Sequence, residues 1–264
     1  MPDGGLIAEL LAIGLLGGLL GGFLGIGGSV FFIPIMTEVL GADLQTTIAA
    51  ALVVNVCVGL ASTLGHRGTG CIMPRVTMIL ILAGVLGGVG GVILGGHFTG
   101  VWLRRAFGVF MLYIIGFTLY RVFRPLAPED SQPGNYVGRE PTTFGIAYVG
   151  ALMGLASGLL GIGGGSVGVP AMQVFLRLRL RTSIACSAPA LFFSCLVAAI
   201  VKHVFVTEGV DPRQAWVYVA LLAPTAIVGA YVGSRLVYRM GRVWLRLVFV
   251  VFLGWVAYRM LFVA

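Results

Sequence analysis

Uncharged apolar runs of about 20 residues follow one another along the whole chain, and this pattern constrains the fold more than any single motif. Each such run is long enough to cross the hydrocarbon core of a bilayer once as a helix. Read by the charges that interrupt them, the spans fall at about 10–33, 44–65, 76–97, 106–120, 143–170, 182–201, 214–234 and 243–258. The breaks hold Glu38 and Asp43, then His66, Arg67 and Arg75, then Arg104 and Arg105, then Arg177, Arg179 and Arg181, then Glu208, Asp211 and Arg213, then Arg235, Arg239 and Arg242. Composition agrees: 59% of the 264 residues are hydrophobic and only 10% charged, against about a quarter charged in soluble domains. A soluble globule and a disordered chain are both excluded. The expected fold is all-α, a polytopic transmembrane bundle of about eight spans.

The net charge of +8 comes almost entirely from arginines strung singly between spans. That reads as anchoring and topology, and nucleic acid is not an expected partner. Cys57, Cys71, Cys186 and Cys195 form no C-x-x-C pair, so neither a disulfide framework nor a metal site is expected. Asp3 and Glu9 open the chain without a basic region, so no cleavable signal peptide is expected.

The longest break, with four prolines, falls at the midpoint and divides the chain into a first transmembrane repeat (1–123), a linker (124–142) and a second repeat (143–264). Shifted by 136 residues, Gly14–Met36 aligns without gaps on Gly150–Met172, with twelve of 23 positions identical. The identities include Gly18/Gly154, Gly22/Gly158, the run L-G-I-G-G and Pro34/Pro170, and the register continues through Thr46/Thr182, Ile48/Ile184 and Ala49/Ala185. Four crossings per repeat would make the two copies parallel, whereas a motif segment that re-enters the membrane would change that parity. Counted over eight crossings, the arginines and the lysine divide about nine to eight between the two sides, which sets no orientation.

The doubled motif is the candidate site. In the first copy it comprises Gly25, Gly27, Gly28 and Ser29; in the second, Gly161, Gly163, Gly164, Gly165 and Ser166. Clustered glycines cost about 1 kcal/mol each in a helix, so the helices should break there. Broken backbone at membrane depth is tolerated when buried in protein or lining a cavity, and a half-helix starting after the break aims free N–H groups and its positive dipole end at a ligand. Two such breaks are expected to face one another and build one anion site. By contrast, Gly14, Gly18 and Gly22, Gly150, Gly154 and Gly158, and the series Gly84–Gly95 have the spacing of close helix packing. The following spans carry small polar residues on one face: Thr47, Asn55 and Ser62 in the first copy, Ser183, Ser187 and Ser194 in the second, beside Thr46 and Thr182. Such groups either bond neighbouring helices or line a polar path. His66, His203 and Lys202 are expected at a membrane surface, the lysine snorkelling to water.

These residues resemble the sulfite exporter TauE/SafE family of membrane permeases in the paired glycine motif, the proline a few residues on, the [TS]-[TS]-I-A start of the next helix and the overall length. The resemblance implies transport of small sulfur-containing or organic anions such as sulfite, thiosulfate or sulfoacetate. It places the family's glycine motifs on Gly25, Gly27, Gly28 and on Gly161, Gly163, Gly164, Gly165, and its helix-opening hydroxyls on Thr46, Thr47, Thr182 and Ser183. Ser29 departs from a full triple glycine in the first copy. The expectation is therefore a multi-pass plasma-membrane secondary transporter for a small anion, with no cofactor and no catalytic residues. An anion channel, or a permease for a small carboxylate, is the alternative. No acidic residue falls within an expected span, so a carboxylate relay for a coupling ion is not expected.

Overall fold

A computed structural model describes residues 4–98, 100–123, 140–206 and 209–237, together with Gly254, Ala257 and Tyr258. Most of the expected span at 243–258 and most of the expected linker lie outside the described residues. Those described form the helices α1 (Gly4–Leu24), α2 (Ser29–Glu38), α3 (Leu44–His66), α4 (Pro74–His97), α5 (Gly100–Phe123), α6 (Thr143–Leu160), α7 (Gly165–Val174), α8 (Leu180–Val204) and α9 (Pro212–Leu236). All except the ten-residue α2 and α7 are long and apolar enough to cross a membrane.

Local chemistry sets the helix starts. Asp43 caps α3 by accepting from the Thr46 amide at 2.8 Å, Thr142 caps α6 through the Gly145 amide at 3.3 Å, and Asp211 caps α9 through Arg213 and Gln214. Pro74 and Pro212 open α4 and α9, where a missing N–H costs nothing. The expected first and fifth spans each break as the glycines demand. Gly25 and Gly27 have φ of +68° and +82°, and Gly161 and Gly163 of +66° and +72°, the left-handed region in which a side chain is strained.

After each break the chain turns back on itself. A Cβ on Gly17 would strike the Phe32 ring and one on Gly21 would lie 2.6 Å from the Gly28 nitrogen, so α2 runs antiparallel along α1. In the second copy Gly164 and Gly168 lie against Met153 in the same way. The two hairpins fill this seam with opposite partners: Gly17 and Phe32 in one correspond to Met153 and Gly168 in the other. The bulky member is buried in each, Phe32 at 0% exposure and Met153 at 1%.

The hairpins correct the parity of the fold. Each leaves the membrane on the side from which it came, so α3, α4 and α5 are the full crossings that separate the two hairpins and the copies are inverted rather than parallel. Contacts bear this out. Along α3 and α8, Gln45 meets Lys202 and Gly59 meets Phe192, so these equivalent helices run antiparallel. The starts of α3 and α9 share one face, where the Asp211 amide donates to Thr46 Oγ1 at 3.0 Å. The starts of α4, α6 and α8 share the other, through Met73–Cys186 and Arg75–Glu140 contacts.

The halves interlock. Gly14, Gly18 and Gly22 of α1 lie on the backbone of Leu222, Ala226 and Ala230 of α9, and Gly150, Gly154 and Gly158 of α6 on that of Leu80, Gly84 and Gly88 of α4. Each opening helix therefore packs on the fourth helix of the other half, and the small-residue stripes serve close approach as their spacing predicts. α3 and α8 cross at the centre of this frame.

Candidate functional site

The two hairpin tips meet beside Asn55, the middle residue of α3. A Cβ on Gly27 would lie 3.1 Å from the Ile162 carbonyl oxygen and 3.4 Å from Gly163 Cα; one on Gly165 would strike the carbonyl of Gly25. Contact this close is open only to glycine, so the motif serves mutual approach of the tips as well as the backbone turn.

Each tip also delivers a helix start. The Phe31 and Phe32 amides return to Gly28 O at 2.9 and 3.1 Å, and the Ser166 and Gly168 amides to Gly163 and Gly164 O at 3.3 and 2.8 Å. The amides before them have no intrahelical acceptor, as at any helix N-terminus. Two positive dipole ends thus converge on one point from opposite sides. The groups gathered with them are neutral. Asn55 Nδ2 donates to Ser29 Oγ at 2.8 Å and to Gly161 O at 3.1 Å, bridging the two hairpins. Its Oδ1 is buried with no hydrogen-bond partner. Ser187 Oγ donates to Gly25 O at 3.3 Å and Ile184 O at 2.9 Å, and Ser166 Oγ to Gly163 O at 3.1 Å. Asn55, Ser29 and Ser187 have no exposed surface.

Two apolar side chains that sequence reasoning did not assign to the site pack against the tips. Ile48 of α3 lies against Gly161 and Ile184 of α8 against Gly25. The 136-residue offset makes the two isoleucines equivalents, and that repetition was the available signal. The helix-opening hydroxyls stand one or two residues before these isoleucines rather than at the tips. Thr46 accepts from the Asp211 amide and Thr47 donates to Asp43 O at 2.7 Å on one face. Thr182 and Ser183 are buried near the other face, where Ser183 Oγ has no partner.

His66 ends α3 and His203 lies in the last turn of α8, so the inversion places them on opposite faces and away from the tips. His203 Nδ1 lies 3.0 Å from Ala199 O. Lys202 departs from expectation: only 3% exposed, it donates to Gln45 Oε1 at 2.7 Å instead of reaching for water.

Asn55 breaks the symmetry, because Leu191 occupies its equivalent position. Asn55→Leu copies that residue and strips Ser29 Oγ and Gly161 O of their donor. With each buried group left unsatisfied costing about 1–3 kcal/mol, transport is expected to fall at least roughly tenfold at unchanged membrane yield. Normal flux in a monodisperse Asn55→Leu protein would show that the bridge between the hairpins is dispensable.

A family model for the sulfite exporter TauE/SafE matches residues 10–260. The chain belongs to that family. Among curated relatives it is similar to the probable membrane transporter protein YunE of Bacillus subtilis, 24% identical over 86% of this chain and 87% of the relative. It is also similar to the probable membrane transporter protein MamO of Magnetospirillum gryphiswaldense, 28% identical over 90% of this chain but 42% of the relative, so it spans about two fifths of that longer protein. A probable membrane transporter protein of Xylella fastidiosa is 31% identical over 70% of this chain and 66% of the relative. No solved structure matches significantly. The protein is thus a multi-pass membrane transporter of the TauE/SafE family.

Proposed function

We propose that this family member is a plasma-membrane secondary transporter for a small anion, a sulfur oxyanion or organosulfonate such as sulfite, thiosulfate or sulfoacetate. The observation that carries the reading is the convergence of the α2 and α7 N-termini on neutral polar groups around Asn55. Backbone amides and dipole ends favour an anion, and dipoles of this kind contribute up to about 2 kcal/mol each when partly buried. With no lysine or arginine at the tips among the described residues, binding is weak and release easy, which suits a carrier.

In this reading Gly25, Gly27, Gly28, Ser29, Asn55, Gly161, Gly163, Gly164, Gly165, Ser166 and Ser187 form the substrate site. Thr46, Thr47, Thr182 and Ser183 line the two approaches to it. The repeats at 1–123 and 143–264, joined through 124–142, each supply one approach, and one approach opens at a time. The apolar contacts of Ile48 with Gly161 and of Ile184 with Gly25 support alternating access over a continuous pore. No step calls for a cofactor or a catalytic residue.

Proteoliposomes test the reading. Flux of sulfite, thiosulfate or sulfoacetate is expected to saturate and to show counterflow, with small carboxylates and taurine carried poorly. Unsaturable flux identifies a channel, and preference for the carboxylates overturns the substrate class.

A further inference from the structure

The two approaches to the hairpin tips are equivalent in backbone and opposite in charge. With the same offset of 136 residues, Gly41, Asp43 and Gln45 correspond to Arg177, Arg179 and Arg181, so the connection before α8 reads L-R-L-R-L-R over Leu176–Arg181. Leu176, Leu178 and Leu180 are buried in one cluster with Ile184, and the arginines alternate with them, Arg177 exposed and the other two half-buried. Arg177 has φ of +51° where its counterpart Gly41 has +65°, so an arginine is kept in a conformation that suits glycine. Arg181 stands one helical turn before Ile184, the residue that lies against Gly25.

The same face carries Arg67 and Arg235, which with Thr69 and Tyr231 line a crevice of about 570 Å³. The Arg235 guanidinium stacks over the Tyr231 ring at 4.9 Å. On the opposite face Arg104 is paired with Glu38 at 2.6 Å, Lys202 is buried against Gln45, and Asp43 and Asp211 cap helices. Arg105 and Arg213 also lie on that opposite face, and Arg75, paired with Glu140, on the comb face, so among the described residues the comb face holds six basic residues and the opposite face four.

Resting on the small-anion reading above, we propose that the arginine comb Arg177–Arg179–Arg181 is an anion-collecting vestibule, that it serves only this approach to the site, and that it opens to the cytoplasm. Arginine keeps its charge at every physiological pH, and a cleft of like charges raises the local concentration of counter-charged substrate and its on-rate by about 10–10³. Salt screens such a field over about 10 Å at 0.1 M. Cytoplasmic placement follows from the bias of short basic connections toward that side.

Two measurements test the proposal. In a Cys57→Ser protein, Cys71 lies in the connection between α3 and α4 on the comb face, while Cys186 and Cys195 are buried. A membrane-impermeant maleimide is expected to label it only after cells are permeabilised; labelling of intact cells overturns the cytoplasmic placement. Thiosulfate and sulfoacetate flux is then measured in right-side-out and inside-out vesicles at about 10 mM and about 0.3 M salt. Combining Arg177→Gly, Arg179→Gln and Arg181→Gln is expected to raise the half-saturating concentration about tenfold at the cytoplasmic face in low salt, and little in high salt. The outer-face value should not move, and Arg179→Lys with Arg181→Lys should behave as wild type. An equal rise at both faces, no rise, or lysine variants as impaired as the neutral ones overturns the vestibule. Absence of saturable flux in wild-type vesicles removes the anion-transport reading and this proposal together, whereas flux indifferent to the comb removes the proposal alone.

Discussion

Gly163→Val is expected to yield an inserted protein that carries almost no anion. Gly163 has φ of +72°, where a β-branched residue is a severe outlier. Its Cβ would lie 2.8 Å from the Leu191 side chain and 3.1 Å from Asn55 Nδ2. Left-handed backbone costs about 1–2 kcal/mol and overpacking about 1–3 kcal/mol, together roughly a hundredfold or more in the population of the assembled tips. Flux in proteoliposomes, normalised to monodisperse protein, is the measurement. Near-normal flux would remove the second tip from the site. Gly164 is the poorer target for this purpose, because its Cβ would meet Met153 O of its own hairpin at 2.6 Å and disturb folding first.

The second large effect should appear in folding and not in turnover. A Cβ on Gly154 would run into the Gly84 carbonyl and lie 2.6 Å from the Gly88 nitrogen, backbone atoms that cannot rotate away. Gly154→Val should therefore force α4 and α6 apart and lose most of the folded yield, since the packing of membrane helices depends on such close contact. Gly90→Val is the control, because nothing lies within 4 Å of a Cβ there. Fluorescence-detected size exclusion of the two variants decides: comparable monodisperse peaks would show that the α4–α6 seam tolerates bulk.

Much of this was legible in the residues. α3, α4, α8 and α9 begin and end within a few residues of the uncharged runs, because a charge at the lipid boundary and an Asp or Pro at a helix start are local facts. The breaks at Gly25–Gly28 and Gly161–Gly164 were equally local, since clustered glycine weakens a helix wherever it stands. The duplication even pointed to the meeting of the tips, as two equivalent elements in one bundle come together at its axis.

What the sequence determined by itself was thus the solvent, the helices with their breaks, and the duplication. Tertiary structure decided the path. A re-entrant hairpin and a straight crossing have the same hydropathy, so residues 10–33 read as one span until Phe32 was seen to lie against Gly17. From that turn followed the inverted copies, the distribution of arginines between the faces and the separation of His66 from His203. The Asn55 bridge, the burial of Lys202 against Gln45 and the isoleucine contacts with the tips likewise join residues far apart in the chain. Hydropathy and propensity act over a few neighbouring residues, whereas these contacts depend on how whole helices pack, and small residues that permit close approach do not specify which helix arrives.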